Sequence, residues 1–256
     1  MAPDSDSRGG SATPGALRVD LIGGFRLTRD GAPVRLPPAA QRLVAFLALQ
    51  PRALPRRRVA FTIWPDVTEA HAYGSLRSTL WRLRRAGGGV VSARDELLEL
   101  DPAVGVDVRD AVGLADRILA GEGIETDGHG LSSGPLVGSL LPDWYDDWVL
   151  AERERLDELQ VHSLEALSAH NLSAGRLGPA VAAGLAAVRA EPLRESTHRA
   201  LIRAYIADGN TAQALAHYRH FVRRLNDQTG LRPSWQMDEL VARLAGQSGD
   251  APVTVR

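Results

Sequence analysis

From Leu17 the apolar positions alternate, first Leu17, Val19 and Leu21, then Phe25 and Leu27. Alternation places every second side chain on one face of a strand. Asp30-Gly31 is a hairpin signal, and Val34 and Leu36 alternate beyond it. This stretch predicts a small antiparallel sheet. After Pro37-Pro38 the period lengthens, with Leu43, Phe46, Leu47 and Leu49 on one helical face until Pro51 stops the helix. A second short helix is predicted from about Pro55, a good first-turn residue, to Ile63, where Trp64-Pro65-Asp66 breaks it. A third is predicted from about Glu69 to Arg85. Its buried stripe is Ala72, Leu76, Leu80 and Leu83, its N-cap Asp66 or Thr68, and its stop Gly87-Gly88-Gly89. Val90 to Leu100 reads as a two-stranded ribbon with Arg94, Asp95 and Glu96 near the tip. Strands, three helices and a ribbon, in that order, are the plan of a winged helix with an added N-terminal sheet.

From Asp107 onward helical periodicity dominates. Val108, Val112, Ala115 and Leu119 predict one helix, and Gly121 to Gly138 a glycine-rich loop or lid. A long helix is predicted to open at Leu140 and run to about Leu172. Further helices are predicted near 177–190, 193–208, 211–227 and 234–244. An internal repeat runs through them. Gly175 and Gly209 lie 34 residues apart, and at that offset Leu167 matches Leu201, Leu172 matches Ile206, and Ala180 matches Ala214. Paired helices at this period are the tetratricopeptide signature. The fold class expected is an α+β N-terminal winged helix followed by an all-α tetratricopeptide-like helical domain. The boundaries expected are a tail over 1–16, the winged helix over 17–105, the helical domain over 106–247 and a tail over 248–256.

Composition narrows the function. The chain has 256 residues and no cysteine, which excludes disulfides, thiol nucleophiles and cysteine-ligated zinc. No run of about 18 apolar residues suggests a membrane span. The polar start, rich in Gly, Pro and Ser, does not resemble a signal peptide, so a cytoplasmic, nucleoid-associated protein is expected. All 30 basic residues are Arg. The net charge of -1 conceals a split. From Leu17 to Leu100, 14 Arg face 7 acids, a net of +7; from Asp101 to Arg256, 15 Arg face 22 acids, a net of -7. A basic half beside an acidic half suggests that only the first meets a polyanion.

The third helix carries the candidate chemistry. Opposite its apolar stripe lie Arg77, Ser78, Trp81, Arg82, Arg84 and Arg85, with no acid among them. A major groove admits one helix, Arg can bind guanine at two acceptors or clamp a phosphate, and Trp81 can pack on a thymine methyl or a sugar. The alternative is an ordinary solvated face, because Arg is a good helix former. Arg56, Arg57 and Arg58 open the second helix and suit flanking phosphates, or form a solvated basic turn.

Over Leu17 to Leu244 the chain resembles the Streptomyces antibiotic regulatory protein (SARP) family. The first half does so through Leu21-Ile-Gly-Gly-Phe25, Arg42 to Leu49, Trp64-Pro65 and Leu76 to Arg85. The second half does so through Asp143 to Trp148, Glu152 to Leu156, Glu191 to Glu195, Ala214 to Tyr218 and Thr229 to Ser234. The resemblance implies an OmpR-type winged helix joined to a bacterial transcriptional activator domain. It implies a sequence-specific activator of secondary-metabolite genes that binds direct repeats in double-stranded DNA as a side-by-side pair and recruits RNA polymerase holoenzyme through its sigma factor. Arg77, Ser78, Trp81, Arg82 and Arg84 carry over as groove readers and Arg94 as a wing contact. The turn of Trp64, Pro65, Asp66, Val67 and Thr68 matches the loop that touches polymerase. The sequence departs from the family at the wing, where Asp95-Glu-Leu-Leu stands in place of a Gly-Tyr pair, and two acids near a tip oppose phosphate contact.

No enzyme, cofactor or metal is expected. With no Lys there is no P-loop, and neither His-Glu-x-x-His nor Gly-x-Ser-x-Gly occurs. His217 and His220, at i and i+3, suit surface or core positions. Asp143, Asp146 and Asp147 suit a helix start. No receiver or nucleotide-binding segment is readable, so no phosphorylation or ATP switch is expected. The competing function is a protein- or ligand-binding helical scaffold whose winged half has weakened DNA binding. The acidic wing favours that reading and the Arg face of the third helix opposes it.

Overall fold

The computed structural model describes residues 16–122 and 137–247. The expected tails, and most of the glycine-rich stretch between Gly121 and Gly138, lie outside them. The chain divides into two units, Met1–Leu21 with Phe25–Asp107, and Ile22–Gly24 with Val108–Arg256.

In the first unit, strands β1 (Leu17–Asp20) and β2 (Arg26–Arg29) pair antiparallel, with Leu17 opposite Arg29, and β3 (Ala32–Pro33) continues the sheet. Their alternation buries Val19, Leu21 and Leu27. The two-residue turn Asp30-Gly31 has positive φ at both positions, 50° and 80°, the conformation that joins right-twisted strands. Helix α1 (Pro38–Ala48) follows, then β4 (Leu54–Pro55), α2 (Arg56–Ile63), α3 (Glu69–Gly87), β5 (Val91–Arg94), β6 (Leu97–Leu100) and β7 (Gly105–Val106). The ribbon predicted from Val90 to Leu100 is β5 and β6, widened by β4 into the order β4-β6-β5. β7 joins β1 in parallel. Pro55 is therefore not in the first turn of α2. It caps that helix in extended conformation while Leu54 and Pro55 pair with Leu98 and Leu97. The stripe of α3 also shifts. Ala72, Leu76, Thr79 and Leu83 are buried, and Leu80 is only half-buried. At about 100° per residue, Leu80 lies roughly 70° from the centre of that stripe. Asp107 closes the unit, accepting the Leu21 amide at both carboxylate oxygens (2.9 and 2.8 Å).

The second unit holds α4 (Asp107–Leu119) after its first residue, then α5 (Asp147–Ser173), α6 (Leu177–Ala190), α7 (Glu195–Ala207), α8 (Thr211–Thr229) and α9 (Trp235–Gln247). Ala111, Ala115 and Ile118 are buried along α4, while Leu119, expected inside, is exposed. Helix α5 begins at Asp147 rather than Leu140. Leu140 bridges to Ile22, Leu141 has a φ of 42° that no α-helix accepts, and Arg153 binds the carbonyls of Leu140, Leu141 and Trp144 at 2.8, 2.5 and 2.8 Å. Asp146 takes the N-cap position and Asp147 the first turn.

The 34-residue repeat is a repeat of structure. Gly175 and Gly209 turn the chain with φ of 71° and 75°, and each donates to the carbonyl three residues back, Leu172 and Ile206, at 3.0 Å. The matched residues Leu167 and Leu201, and Ala180 and Ala214, are all buried. Helices α6 and α7 approach so closely that a Cβ on Gly184 would lie 3.0 Å from the Leu201 Cα. Glu195 ties α7 to the start of α9. It accepts the Ser234 amide at 2.8 Å, the Ser234 hydroxyl, and Arg199 at 2.8 Å. Burial pushes the Glu195 carboxyl up, but Ser234 and Arg199 outweigh it and hold the group below its usual range.

Behind α8, buried His198 stacks on Phe221 with ring centroids 4.0 Å apart. Its Nε2 meets the Pro192 carbonyl at 3.0 Å, and its Nδ1 meets His217 Nε2 at 2.9 Å. Because the carbonyl can only accept, His198 carries its proton on Nε2 and His217 donates to Nδ1. Burial pushes His198 down to about 4, aided by His217, Arg224 and His220 and opposed by the Pro192 hydrogen bond. Burial and His220 push His217 down as well. A neutral His in the fold, against an ordinary value of 6.5 when unfolded, means that acid favours the unfolded chain. The helical unit is predicted to lose about 1.4 kcal/mol per pH unit from near pH 6.5 down to about pH 4, approaching ~3 kcal/mol from His198 alone. Urea unfolding across that range checks it. His198→Leu should flatten the slope, and an unchanged slope would show that the pair does not stay neutral.

Candidate nucleic-acid interface

Helix α3 owes its orientation to its own sequence. With Ala72, Leu76, Thr79 and Leu83 inside, the opposite face must point outward, and Arg77, Ser78, Trp81, Arg82, Arg84 and Arg85 are all exposed. Arg77, Arg82 and Arg84 make no hydrogen bond or ion pair among the described residues. Trp81 is 57% exposed, and the Arg85 guanidinium lies 4.8 Å above its ring. A cation over an indole face is attracted by the ring quadrupole, so the pair stands as one flat, positive surface. Arg84 and Arg85 also sit in the last turn of α3, where cations complement the helix dipole.

The ribbon β5–β6 turns at Asp95 and Glu96, with Asp95 at a φ of 51°. Arg94, Asp95, Glu96 and Leu97 are exposed. The arginine triplet at the start of α2 splits by role. Arg56 donates its amide to the Glu96 carbonyl at 2.8 Å and its Nε to the Asp95 carbonyl at 3.2 Å, so it holds the tip of the ribbon. Arg57 lies over the Phe61 ring at 5.5 Å, and Arg58 is exposed. The role of Arg56 was hidden because it depends on the pairing of a two-residue strand.

The turn from Trp64 to Thr68 joins α2 to α3. Trp64 is half-buried and caps α2, donating its amide to Ala60 at 3.0 Å. Pro65, Asp66, Val67 and Thr68 are exposed. Thr68 takes the N-cap position of α3, yet its hydroxyl pairs with His71 Nδ1 at 2.7 Å rather than with the backbone. Among the described residues, no group of three or more His, Cys, Asp or Glu could hold a metal ion, and no helix is long and apolar enough to cross a membrane.

The chain is similar to known proteins in sequence and in fold. The bacterial transcriptional activator domain family matches residues 126–245. Regulatory protein AfsR of Streptomyces coelicolor is 30% identical over 243 residues, which are 90% of this chain and 24% of that protein. Regulatory protein AfsR of Streptomyces griseus is 26% identical over 247 residues, 91% of this chain and 25% of that one. The chain thus spans about a quarter of the length of these curated relatives. A solved structure of Mycobacterium tuberculosis EmbR in complex with a low-affinity phosphopeptide shares the fold. Its TM-score is 0.70 at 24% identity, over 91% of this chain and 66% of that one. The fold is therefore a small sheet-and-helix unit followed by a domain of paired helices, most of which matches the bacterial transcriptional activator domain. These likenesses support the resemblance of the chain to the SARP family.

Arg56→Ala should loosen the ribbon tip by about 0.5–1.5 kcal/mol, the ordinary worth of one such hydrogen bond. Faster amide exchange over 94–98 would report it, with DNA affinity falling only a few-fold. A loss of affinity as large as that of an α3 arginine would make Arg56 a phosphate contact instead.

Proposed function

We propose that the chain is a sequence-specific, double-stranded DNA-binding transcriptional activator that reads the major groove with α3. The observation that carries this reading is the exposed face of α3, where Arg77, Arg82 and Arg84 stand unpaired beside Ser78 and the Trp81–Arg85 stack. Arg77, Ser78 and Arg82 act as base-edge or phosphate contacts, and Trp81 packs on a thymine methyl or a sugar. Arg84, Arg85, Arg57 and Arg58 lie toward the flanking phosphates, with Arg94 reaching from the ribbon. Arg56 supports the ribbon from beneath. The acids at the tip weaken the ribbon's own part in binding, so α3 supplies most of the affinity.

The likeness to the AfsR regulators and to the activator domain family supports the rest of the reading. The chain binds direct repeats as a side-by-side pair of protomers and serves a secondary-metabolite gene cluster. It recruits RNA polymerase holoenzyme through the sigma factor, and the exposed turn Trp64, Pro65, Asp66, Val67 and Thr68 is the proposed contact. It works in the cytoplasm on the nucleoid.

Selection of random duplex DNA by the purified chain at fixed, moderate salt tests this directly. Enrichment of a short motif repeated at about one helical turn supports a paired reader. Recovery of no motif would shift the function to the scaffold reading. On the selected site, Arg77→Ala is predicted to cost about 1–3 kcal/mol and to relax one base position. An equal loss on every sequence would make Arg77 a phosphate contact. Affinity should also fall with salt, at a slope of about 0.9 log units per phosphate neutralised. A flat response would remove the electrostatic argument.

A further inference from the structure

We propose that the outer face of α8 is a docking surface for an acidic segment of a partner protein. Arg219, His220, Arg223 and Arg224 fall within two turns, so that Arg219 and Arg223, and His220 and Arg224, are i,i+4 neighbours. Arg219, His220 and Arg223 are exposed and Arg224 is half-buried. None of the four makes a hydrogen bond or ion pair among the described residues. They stand in the acidic half of the chain, where 22 acids outnumber 15 arginines. Arg194 and Arg199 in that half do find carboxylates, Glu158 at 3.0 Å and Glu195 at 2.8 Å. Like charges at i,i+4 disfavour a helix, so the Arg219–Arg223 pair costs α8 slightly, and Asp227, four residues after Arg223, offsets only part of that. Its field also reaches inward, since Arg224 and His220 both help to keep buried His198 neutral.

The surroundings favour a peptide over a phosphate backbone. His220, Arg223, Arg224, Asp227 and Gln228 line one open depression of about 370 Å³. Asp227 can accept a peptide N–H, which a phosphate backbone does not offer, and Gln228 can pair with a peptide group on either side. Beyond the glycine that ends α8, Leu231 and Trp235 are 61% and 70% exposed. Exposed Trp and Arg, here on two helices that pack together, are side chains enriched in protein interfaces. The acidic half also repels a long polyanion over the screening length of ~8 Å, whereas a short acidic peptide meets mainly the local cations.

The test uses the full-length chain carrying Arg77→Ala, Arg82→Ala and Arg84→Ala, so that α3 does not capture the probe. The probe is a short fluorescein-labelled peptide of alternating Glu, Leu, Asp and Phe, compared by anisotropy with its Gln/Asn counterpart. The expected result is a preference for the acidic peptide, weakened by about tenfold or more in Arg219→Glu/Arg223→Glu and by about threefold in Arg223→Gln. Where the double reversal fails to fold, Arg223→Gln decides. Three results would each overturn the proposal. These are unchanged binding in the variant that decides, no preference over the amide peptide, and non-specific duplex DNA that displaces the peptide and binds through the same arginines.

Discussion

A helix has one face to bury, and in α3 that choice governs the rest of the first unit. Burying Leu76 and Leu83 contributes roughly 1.5–3 kcal/mol each. Turning the helix by one residue would expose them and push guanidinium groups inward, at several kcal/mol per unpaired charge. No surface interaction competes with that difference. The outward set from Arg77 to Arg85 is therefore a consequence of core packing, held before any ligand arrives. The ribbon is positioned by a second, weaker device. Strand β4 pairs with β6, and Arg56, the next residue along, grips the carbonyls of the turn.

In the second unit the governing constraint is closeness. Much of the packing is done by alanines, with Ala115, Ala183, Ala186 and Ala187 gathered around Ile118, Leu164 and Leu167. Gly184 against Leu201 shows how little room remains between α6 and α7. Such surfaces bury area through backbone approach rather than through large side chains, which is how stacked helix pairs hold together. The larger side chains collect further along, with Phe221 among Ile202, Ala214, Leu225 and Met237. There the stacked His198 completes the core with a polar ring whose hydrogen bonds are met by Pro192 and His217.

The elements legible in the sequence were those with a sustained period. The exposed face of α3, the Asp30-Gly31 turn, the ribbon and the repeat around Gly175 and Gly209 were all readable, because each rests on local spacing or on a glycine that must adopt positive φ. What escaped depends on contacts between distant residues. Strands β4 and β7 have two residues each, too few to show alternation, and exist only through their partners β6 and β1. Apolar Leu140 and Leu141 looked like the start of a helix. Their conformation is set instead by Ile22 and by Arg153, thirteen and twelve residues ahead. Leu80 and Thr79 exchanged roles because a four-residue step drifts around the helix by about 40°. Of the candidate interface, the six positions on α3 were legible, whereas the bracing of the ribbon by Arg56 was not.

The two-way charge split is a true sum and a poor map. It divides the chain near Leu100, but the side chains do not obey the division. In the basic half, Arg56 is taken up by the ribbon and Arg85 by Trp81, so fewer guanidinium groups are free than the excess suggests. In the acidic half, the excess of carboxylates coexists with a cationic face on α8 whose arginines make no ion pair among the described residues. Over a screening length of ~8 Å, a ligand senses the groups it touches and little of the total. The distribution therefore argues for two places on the chain that attract anions. They differ in their neighbours, which are Ser and Trp without acids on α3, and Asp and Gln on α8. A duplex and an acidic peptide ask for those different neighbours, so the two faces need not compete for one partner.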